Sequence, residues 1–228
     1  MKIGLQITKN EKKYDRLLSL IKSDFSQDVD FIHIPDEDSL KSNFKNLDAL
    51  VCYGIKKENF DYRSDKLKWI HIGASGVDGN LFSDLIKSKV MITNAKGINA
   101  KPVAEFIMSQ ILYFSKQLQS CETFKRDRVW KQWELAKNTN QLSDLTLGII
   151  GYGEIGKELS KLAKPFGMKV MATRRLQKKI ESKKFVDQLV PLDNMDMIIE
   201  QSDFLSIACP LTQLTENLIG AKAFKSMK

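Results

Sequence analysis

Cysteine is scarce in this sequence, and its distribution narrows the kinds of protein that the chain can be. The 228 residues contain three cysteines, Cys52, Cys121 and Cys209, which are scattered and show no C-x-x-C spacing. An odd, dispersed set argues against a disulfide framework and against a zinc site. We therefore expect buried thiols and no metal centre.

Long apolar runs are also absent. No stretch of about 18 consecutive apolar residues occurs, so no transmembrane helix and no membrane partner are expected. Residues 1–8 look like a short strand and lack a secretory apolar region followed by small residues. On that basis we expect a cytoplasmic protein.

The chain carries a formal net charge of +8, which raises the question of nucleic-acid binding. Its lysines are spread along the sequence with acidic residues between them, and the tightest groups, residues 125–128 and 178–184, look like solvated faces or loops. We therefore expect no nucleic-acid partner. The charge is better suited to attracting an anionic cofactor and substrate.

Short apolar runs alternate with amphipathic stretches along the chain, which predicts an α/β fold with parallel sheets. Strands are predicted at residues 2–8, 29–34, 49–53, 69–72 and 90–93, and helices at 14–21 and 81–87. A longer helix should begin near Pro102, since proline is tolerated in a first turn, and run to about Gln119. The predicted domains are residues 1–100 and 101–228.

A G-x-G-x-x-G motif, formed by Gly151, Gly153 and Gly156, stands between the apolar run 145–150 and the helix-like stretch 157–166. In a dinucleotide-binding turn the first glycine allows the tight turn and the second lets the pyrophosphate approach the backbone. The third lets the helix pack closely on the strand. The following helix N-terminus attracts phosphate. The alternative is an ordinary glycine turn.

The next predicted strand, residues 168–173, ends at Arg174 and Arg175. NAD sites place a carboxylate about 20 residues beyond the glycines to bind the ribose 2′-hydroxyl, whereas NADP sites place an arginine there for the 2′-phosphate. Arg174 stands where the carboxylate would be, and a guanidinium can hydrogen-bond a phosphate with charge assistance. NADP is therefore favoured, with NAD possible. The alternative is that both arginines are simply solvated.

Together these segments resemble the D-isomer-specific 2-hydroxyacid dehydrogenase family over nearly the whole chain. The matching pieces are WIHIGASGVD at 69–78, ITNAKG at 92–97, PVAEF at 102–106, residues 145–156, and DFLSIACPLTQLT at 203–215. The resemblance implies a flavodoxin-like N-terminal substrate domain, a Rossmann domain, and hydride transfer between NAD(P)H and a small 2-oxo acid. It also implies a homodimer in which the long helix and the segment that follows it form much of the contact.

Transferred residue by residue, the resemblance assigns the substrate carboxylate to the backbone N–H groups of Ser75 and Gly76. Small residues suit that role because no side chain blocks the approach to the amides. A plain turn after a strand is the alternative for this segment.

The resemblance also assigns cofactor contacts beyond the glycines. Glu154 and Ile155 would lie against the pyrophosphate through their backbone, while Cys209 and Pro210 would line the nicotinamide or ribose side. Thr215 would cap the next helix or reach a phosphate, and a plain N-cap is at least as good an interpretation.

No catalytic residue is assigned within the chain. Reduction of a 2-oxo acid needs a proton donor and a cation, and in this family an arginine, a glutamate and a histidine follow the Cys-Pro-Leu-Thr segment by several tens of residues. His33 and His71 lie in strand-like apolar runs, where a structural histidine is expected. The chain is thus expected to be a fragment of a longer dehydrogenase. A non-catalytic dinucleotide-binding module, cofactor-sensing or corepressor-like, is the alternative.

The Rossmann domain is accordingly expected to be incomplete at its C-terminus. The sequence offers candidates for the first four strands only, at residues 147–150, 168–173, 186–190 and 204–208, in the order 3-2-1-4. The sequence does not indicate which 2-oxo acid is used.

Overall fold

The computed structural model describes residues 1–24 and 28–228. The chain divides into two compact units, Met1–Ile98 and Asn99–Lys228. Each unit is built from strands and helices that alternate along the chain, so the predicted α/β class is confirmed.

The first unit alternates five strands with four helices over the residues that the structure describes. Its strands are β1 (Lys2–Gln6), β2 (Asp30–His33), β3 (Ala49–Cys52), β4 (Trp69–Ile72) and β5 (Met91–Asn94). Its helices are α1 (Glu11–Ile21), α2 (Glu37–Phe44), α3 (Lys57–Phe60) and α4 (Ser83–Lys87). All five strands fall at predicted positions.

The sheet of the first unit is parallel and has the order β2-β1-β3-β4-β5, which is the flavodoxin-like order. One apolar layer packs Tyr14 of α1 against Ile3 and Leu5, while another packs Leu40 and Phe44 of α2 against the sheet. The first two helices therefore cover opposite faces. Each begins with a side-chain cap, which is Asn10 for α1 and Asp36 for α2.

The second unit, whose residues are all described, begins with three helices and continues as a doubly wound sheet. Its helices are α5 (Ala100–Ser115), α6 (Leu118–Arg126), α7 (Gln132–Asn138), α8 (Glu154–Ala163), α9 (Met195–Gln201) and α10 (Ala221–Ser226). Its strands are β6 (Thr146–Ile150), β7 (Lys169–Arg174), β8 (Glu181–Lys183), β9 (Val186–Pro191) and β10 (Phe204–Ile207).

The predicted Rossmann strand order is confirmed, with one addition. The parallel strands lie in the order β10-β6-β7-β9, which is 4-1-2-3 in the sequence of the unit. The added strand, β8, pairs antiparallel with β9 at the edge. The sequence did not indicate β8, because Glu181–Lys183 carries no apolar alternation.

The long helix is shorter than predicted. Helix α5 ends at Ser115, and Gln117 adopts φ 55°, a left-handed conformation, before α6 begins at Leu118. The prediction of one helix reaching Gln119 is therefore wrong. No described helix has the length and apolar content needed to span a bilayer.

The carboxylate of Asp187 joins the start of β7 to the end of α8. It accepts from the Val170 N–H at 2.7 Å and from the Lys164 ammonium at 3.0 Å. Burial alone would raise the pKa of Asp187, but these two donors outweigh it and the pKa lies below its ordinary value. The contact fixes the position of β7, the strand that ends at Arg174.

Only one of the three cysteines is buried as predicted. Cys52 lies in the core of the first unit, where burial raises the pKa of its thiol to about 11. Cys121 and Cys209 are partly exposed, so the prediction of buried thiols is wrong for them. All three are free in the structure.

Gly148, in the middle of β6, sets how closely α9 packs on the second sheet. A Cβ at this position would lie 2.1 Å from Ser202 Oγ and 2.7 Å from Ile198 Cγ2. Both neighbours are buried, so neither can move away freely. The glycine is required here by packing, because even a methyl group overlaps its surroundings.

We predict that Gly148→Ala destabilises the second unit by roughly 1–3 kcal/mol, the usual cost of overpacking a well-filled core. Thermal or urea unfolding followed by circular dichroism measures the effect. Gly79→Ala is the matched control, since a Cβ at Gly79 meets nothing within 4 Å. Equal stability of the two variants would contradict the packing argument.

Candidate functional site

Gly151 ends β6 in a conformation and a contact that require glycine. Its φ is 102°, and a Cβ there would lie 2.7 Å from the Cys209 backbone nitrogen and 2.9 Å from the Ala208 carbonyl carbon. The segment that follows β10 passes this turn at backbone distance, which leaves no room for a side chain at position 151. This is the role that the motif assigns to its first glycine.

The other two glycines of the motif differ from each other in their surroundings. A Cβ at Gly156 would lie 2.8 Å from the Gly151 carbonyl oxygen and 3.1 Å from Ile149 Cγ2, so α8 packs directly on the turn. A Cβ at Gly153 would meet nothing within 4 Å. Gly153 is therefore not required by packing, and the space beside it is open to a ligand.

Gly153 is the N-cap of α8, and it supplies no capping side chain. An α-helix leaves the N–H groups of its first turn without acceptors inside the helix, and its dipole adds partial positive charge there. Glu154 and Ile155 form this first turn, and Glu154 Oε1 accepts from the Lys157 ammonium at 2.8 Å. The turn presents the geometry of an anion site.

Thr173 holds the glycine turn from the neighbouring strand. Its Oγ1 accepts from the Gly151 N–H at 3.1 Å, and its carbonyl accepts from the Tyr152 N–H at 2.6 Å. The side chain is fully buried. Sequence reasoning missed this residue; the available signal was a hydroxyl at the last buried position of β7, directly before the arginines.

Arg174 and Arg175 lie exposed at the carboxyl end of β7, beside the strand that carries the glycine turn. Neither side chain makes a hydrogen bond or an ion pair within the described part of the chain. Two guanidinium groups without partners in the described structure, beside a turn of this geometry, can donate hydrogen bonds to a phosphate.

Cys209 and Pro210 follow β10 and lie at the same end of the sheet as the glycine turn, with the Cys209 backbone against Gly151. The Thr215 hydroxyl is occupied within the loop that follows. It donates to the Pro210 carbonyl at 2.6 Å and accepts from the Thr212 N–H at 2.8 Å. The cap of the next helix, α10, is Gly220, so the expectation that Thr215 caps it is wrong.

In the first unit, Ser75 and Gly76 lie exposed in the loop after β4. Ser75 is held from β5, because Asn94 Nδ2 donates to the Ser75 carbonyl at 2.7 Å and Ser75 Oγ donates to the Ala95 carbonyl at 3.2 Å. Among the residues that the structure describes, the N–H groups of Ser75 and Gly76 have no acceptor. Asn94 was not identified as a site residue from sequence.

Both histidines are held by hydrogen bonds within the first unit. His33 Nε2 lies 2.8 Å from the Thr8 carbonyl and its ring stacks on Tyr14, while His71 Nδ1 lies 2.9 Å from Thr93 Oγ1. Neither is paired with a carboxylate in residues 1–24 and 28–228. The described residues also contain no cluster of three His, Cys, Asp or Glu that could hold a metal.

Curated relatives match most of this chain. It is 29% identical over 201 residues to a glyoxylate reductase of Thermococcus litoralis, covering 85% of this chain and 60% of that protein. It is 29% identical over 196 residues to a hydroxypyruvate reductase of Thermotoga maritima, covering 85% of this chain and 61% of that protein. The chain thus spans less than two thirds of the length of these relatives.

The fold matches solved structures over the whole chain. A D-lactate dehydrogenase from Aquifex aeolicus, solved with NAD and lactic acid, superposes with a TM-score of 0.75 at 22% identity, covering 100% of this chain and 66% of that one. At this identity the likeness concerns the fold alone.

The family model for the NAD-binding domain of D-isomer specific 2-hydroxyacid dehydrogenases matches residues 108–228, which is more than half of the chain. The matched region contains the glycine turn, the arginines that end β7 and the loop after β10. With this match and the geometry of the turn, the chain belongs to the D-isomer specific 2-hydroxyacid dehydrogenase family.

Proposed function

We propose that the protein is an NAD(P)-dependent oxidoreductase that interconverts a small 2-oxo acid and its D-2-hydroxy acid by hydride transfer. The observation that carries the proposal is the contrast among the three glycines of the turn. Gly151 and Gly156 are fixed by packing, whereas Gly153 faces open space at the start of α8. A turn shaped only by packing has no need of a glycine at 153.

The dinucleotide pyrophosphate is proposed to bind the first turn of α8, with backbone contacts from Glu154 and Ile155. Cys209 and Pro210 would line the nicotinamide or ribose side, because β10 ends against Gly151. Thr215 would act by holding this loop, since its hydroxyl is already bonded to the Pro210 carbonyl.

NADP is the favoured cofactor, with NAD possible. Support comes from Arg174 and Arg175, which are exposed and unpaired in the described structure. A guanidinium fork matches the geometry of a phosphate, and no carboxylate stands at the position that would bind a 2′-hydroxyl and repel a 2′-phosphate.

The substrate carboxylate is proposed to bind the free N–H groups of Ser75 and Gly76. Asn94 acts as a positioning residue, because it fixes the Ser75 carbonyl and so the direction in which the loop amides point. Adjacent backbone amides that lack acceptors form a concave anion site, and both Ser75 and Gly76 are exposed.

The proton donor of the reaction is proposed to lie outside these 228 residues. Donation to a developing alkoxide needs an imidazole that is free to reach the substrate and is oriented by a carboxylate. His33 and His71 instead make structural hydrogen bonds to Thr8 and Thr93.

The whole protein is proposed to be a homodimer. Apolar side chains are exposed on α5 and near α7, where Phe106 is 65%, Phe114 58%, Trp130 88% and Trp133 76% exposed. Large aromatic residues in this number on one segment are typical of a surface that a partner covers.

We predict that Gly153→Val abolishes dinucleotide binding without unfolding the protein. The branched side chain would occupy the space left for the pyrophosphate, yet it meets no protein atom near its Cβ. The thermal shift produced by NADPH should disappear while the unfolding temperature without ligand stays the same. Gly79→Val, also at an open position, should retain the shift; a retained shift in Gly153→Val would refute the site.

We predict that Arg174→Asp lowers the affinity for NADPH relative to NADH by about tenfold or more, because a charged hydrogen bond is replaced by repulsion. Isothermal titration with both cofactors measures the ratio. Arg16→Asp makes the same change in net charge on the exposed face of α1 and should leave the ratio unchanged. An unaltered ratio in Arg174→Asp would show that Arg174 does not select the cofactor.

We predict that the 228 residues alone bind NADPH but show no turnover of glyoxylate, hydroxypyruvate or phenylpyruvate, because neither histidine is available as a proton donor. Oxidation of NADPH followed at 340 nm measures this, with a full-length glyoxylate reductase as positive control. Any turnover would contradict this prediction. Turnover that persists in a His33→Asn, His71→Asn double variant would show that the proton donor is another of these 228 residues.

A further inference from the structure

An acidic side chain stands in the turn that is proposed to bind the dinucleotide diphosphate. Glu154 is the first residue of α8, and the proposed site uses its backbone to contact an anion. The N–H groups of a first turn lack acceptors inside the helix, and the helix dipole adds positive charge there. The Glu154 carboxylate and a bound diphosphate are therefore attracted to the same end of the helix. The proposed function gives this carboxylate no role.

The carboxylate and the diphosphate also repel each other. The carboxylate belongs to the residue whose backbone would contact the ligand, so the two charges lie within the Debye length, which is about 8 Å in physiological salt. The Glu154 side chain is 45% exposed, so solvent weakens this repulsion but does not remove it. A carboxylate here lowers the affinity for a dinucleotide unless another group restrains it.

Lys157 supplies that restraint. Its ammonium donates to Glu154 Oε1 at 2.8 Å. Residues three apart are neighbours on one face of an α-helix, so this hydrogen bond ties the carboxylate to the side of α8. Side chains of a helix lean toward its N-terminus, and an untied Glu154 side chain would therefore lie over the first turn. Lys157 thus keeps the carboxylate off the position where the ligand is proposed to bind.

The first turn has the N–H groups that such a restraint leaves available. Among the residues that the structure describes, the N–H groups of Ile155 and Gly156 have no acceptor. The first hydrogen bond at this end of the helix joins the Lys157 N–H to the Gly153 carbonyl at 2.9 Å. A carboxylate that turned back onto the first turn would find donors there, and so would a diphosphate.

The next turn of α8 contains an ion pair of the same kind. Glu158 Oε1 accepts from the Lys161 ammonium at 2.6 Å, again across three residues. Four residues separate the two glutamates, which places Glu158 roughly 6 Å farther from the N-terminus. This second pair has the same charges on the same helix but lies away from the glycine turn. It is therefore the reference for an ion pair that only stabilises the helix.

We propose that Glu154 is an intramolecular competitor of the dinucleotide diphosphate, and that Lys157 is the positioning residue that holds its carboxylate away from the first turn. This inference rests on the proposed function. While the pair is intact, the N–H groups of the turn are open to the ligand and the negative charge beside them is neutralised. Without the ammonium, the carboxylate competes with the ligand for the same end of α8.

The test measures the dissociation constants of NADPH and NADH for the 228-residue chain by isothermal titration. Glu154→Gln removes the competing charge and should tighten binding about three- to tenfold, the scale of one exposed charge acting within a Debye length. Lys157→Met leaves the carboxylate without its partner and should weaken binding by a similar factor. The double variant should bind as tightly as Glu154→Gln, because Lys157 acts through Glu154.

Matched controls separate competition from a structural role. Glu158→Gln and Lys161→Met make the same charge changes one turn away, and each should alter the affinity by less than about twofold. Glu154→Gln should tighten NADH and NADPH equally, since both contain the diphosphate, whereas Arg174→Asp changes their ratio. The gain should disappear in about 1 M salt, where the Debye length is about 3 Å. A purely structural ion pair predicts no gain at any salt concentration.

The outcomes separate this inference from the proposed function. If Glu154→Gln binds no more tightly than the wild type, or if the double variant is as weak as Lys157→Met, Glu154 does not compete with the ligand and the inference is excluded. The proposed function then stands, provided that the wild type binds and Gly153→Val does not. If the wild-type chain binds neither cofactor, the diphosphate site and the inference are both wrong.

Discussion

The contact between Gly151 and the Cys209 backbone is the constraint on which the dinucleotide unit depends. Two adjacent parallel strands, β6 and β10, end against each other with no room for a side chain at 151. From the other side, Thr173 holds the Gly151 N–H. The ends of three strands thus fix one turn, and this turn sets where α8 begins. The N–H groups at the start of α8 therefore have a defined position, from which they can face a ligand.

The fold was largely predictable because buried parallel strands leave a strong pattern of short apolar runs, and both sheets follow it. The failures have local causes. Helix α5 ends at Ser115, although Leu118 continues the apolar pattern; the break is a single left-handed residue, Gln117, which apolar periodicity does not reveal. Strand β8 is held by pairing with β9. Its three residues, Glu181–Lys183, are all polar, so the sequence gives no signal of burial there.

The candidate site was predictable where a residue acts by lacking a side chain. Gly151 and Gly156 have that requirement in the structure, and Gly153 has the open space that a ligand needs. Thr173 and Asn94 were missed for the opposite reason. Each is an ordinary polar residue whose importance comes from a partner in another segment: Gly151 lies 22 residues from Thr173, and Ser75 lies 19 residues from Asn94. Only the sheet register brings these pairs together.

The two units offer their proposed ligands different kinds of interaction. At the end of β7, Arg174 and Arg175 make no ion pair with the described residues, so both guanidinium groups are available to a phosphate. The loop after β4 in the first unit offers its proposed ligand backbone N–H groups, those of Ser75 and Gly76. Their direction is fixed by Asn94, because its Nδ2 donates to the Ser75 carbonyl. An unbalanced positive field attracts any polyanion, whereas two adjacent amides held in a fixed direction select an anionic group by its geometry.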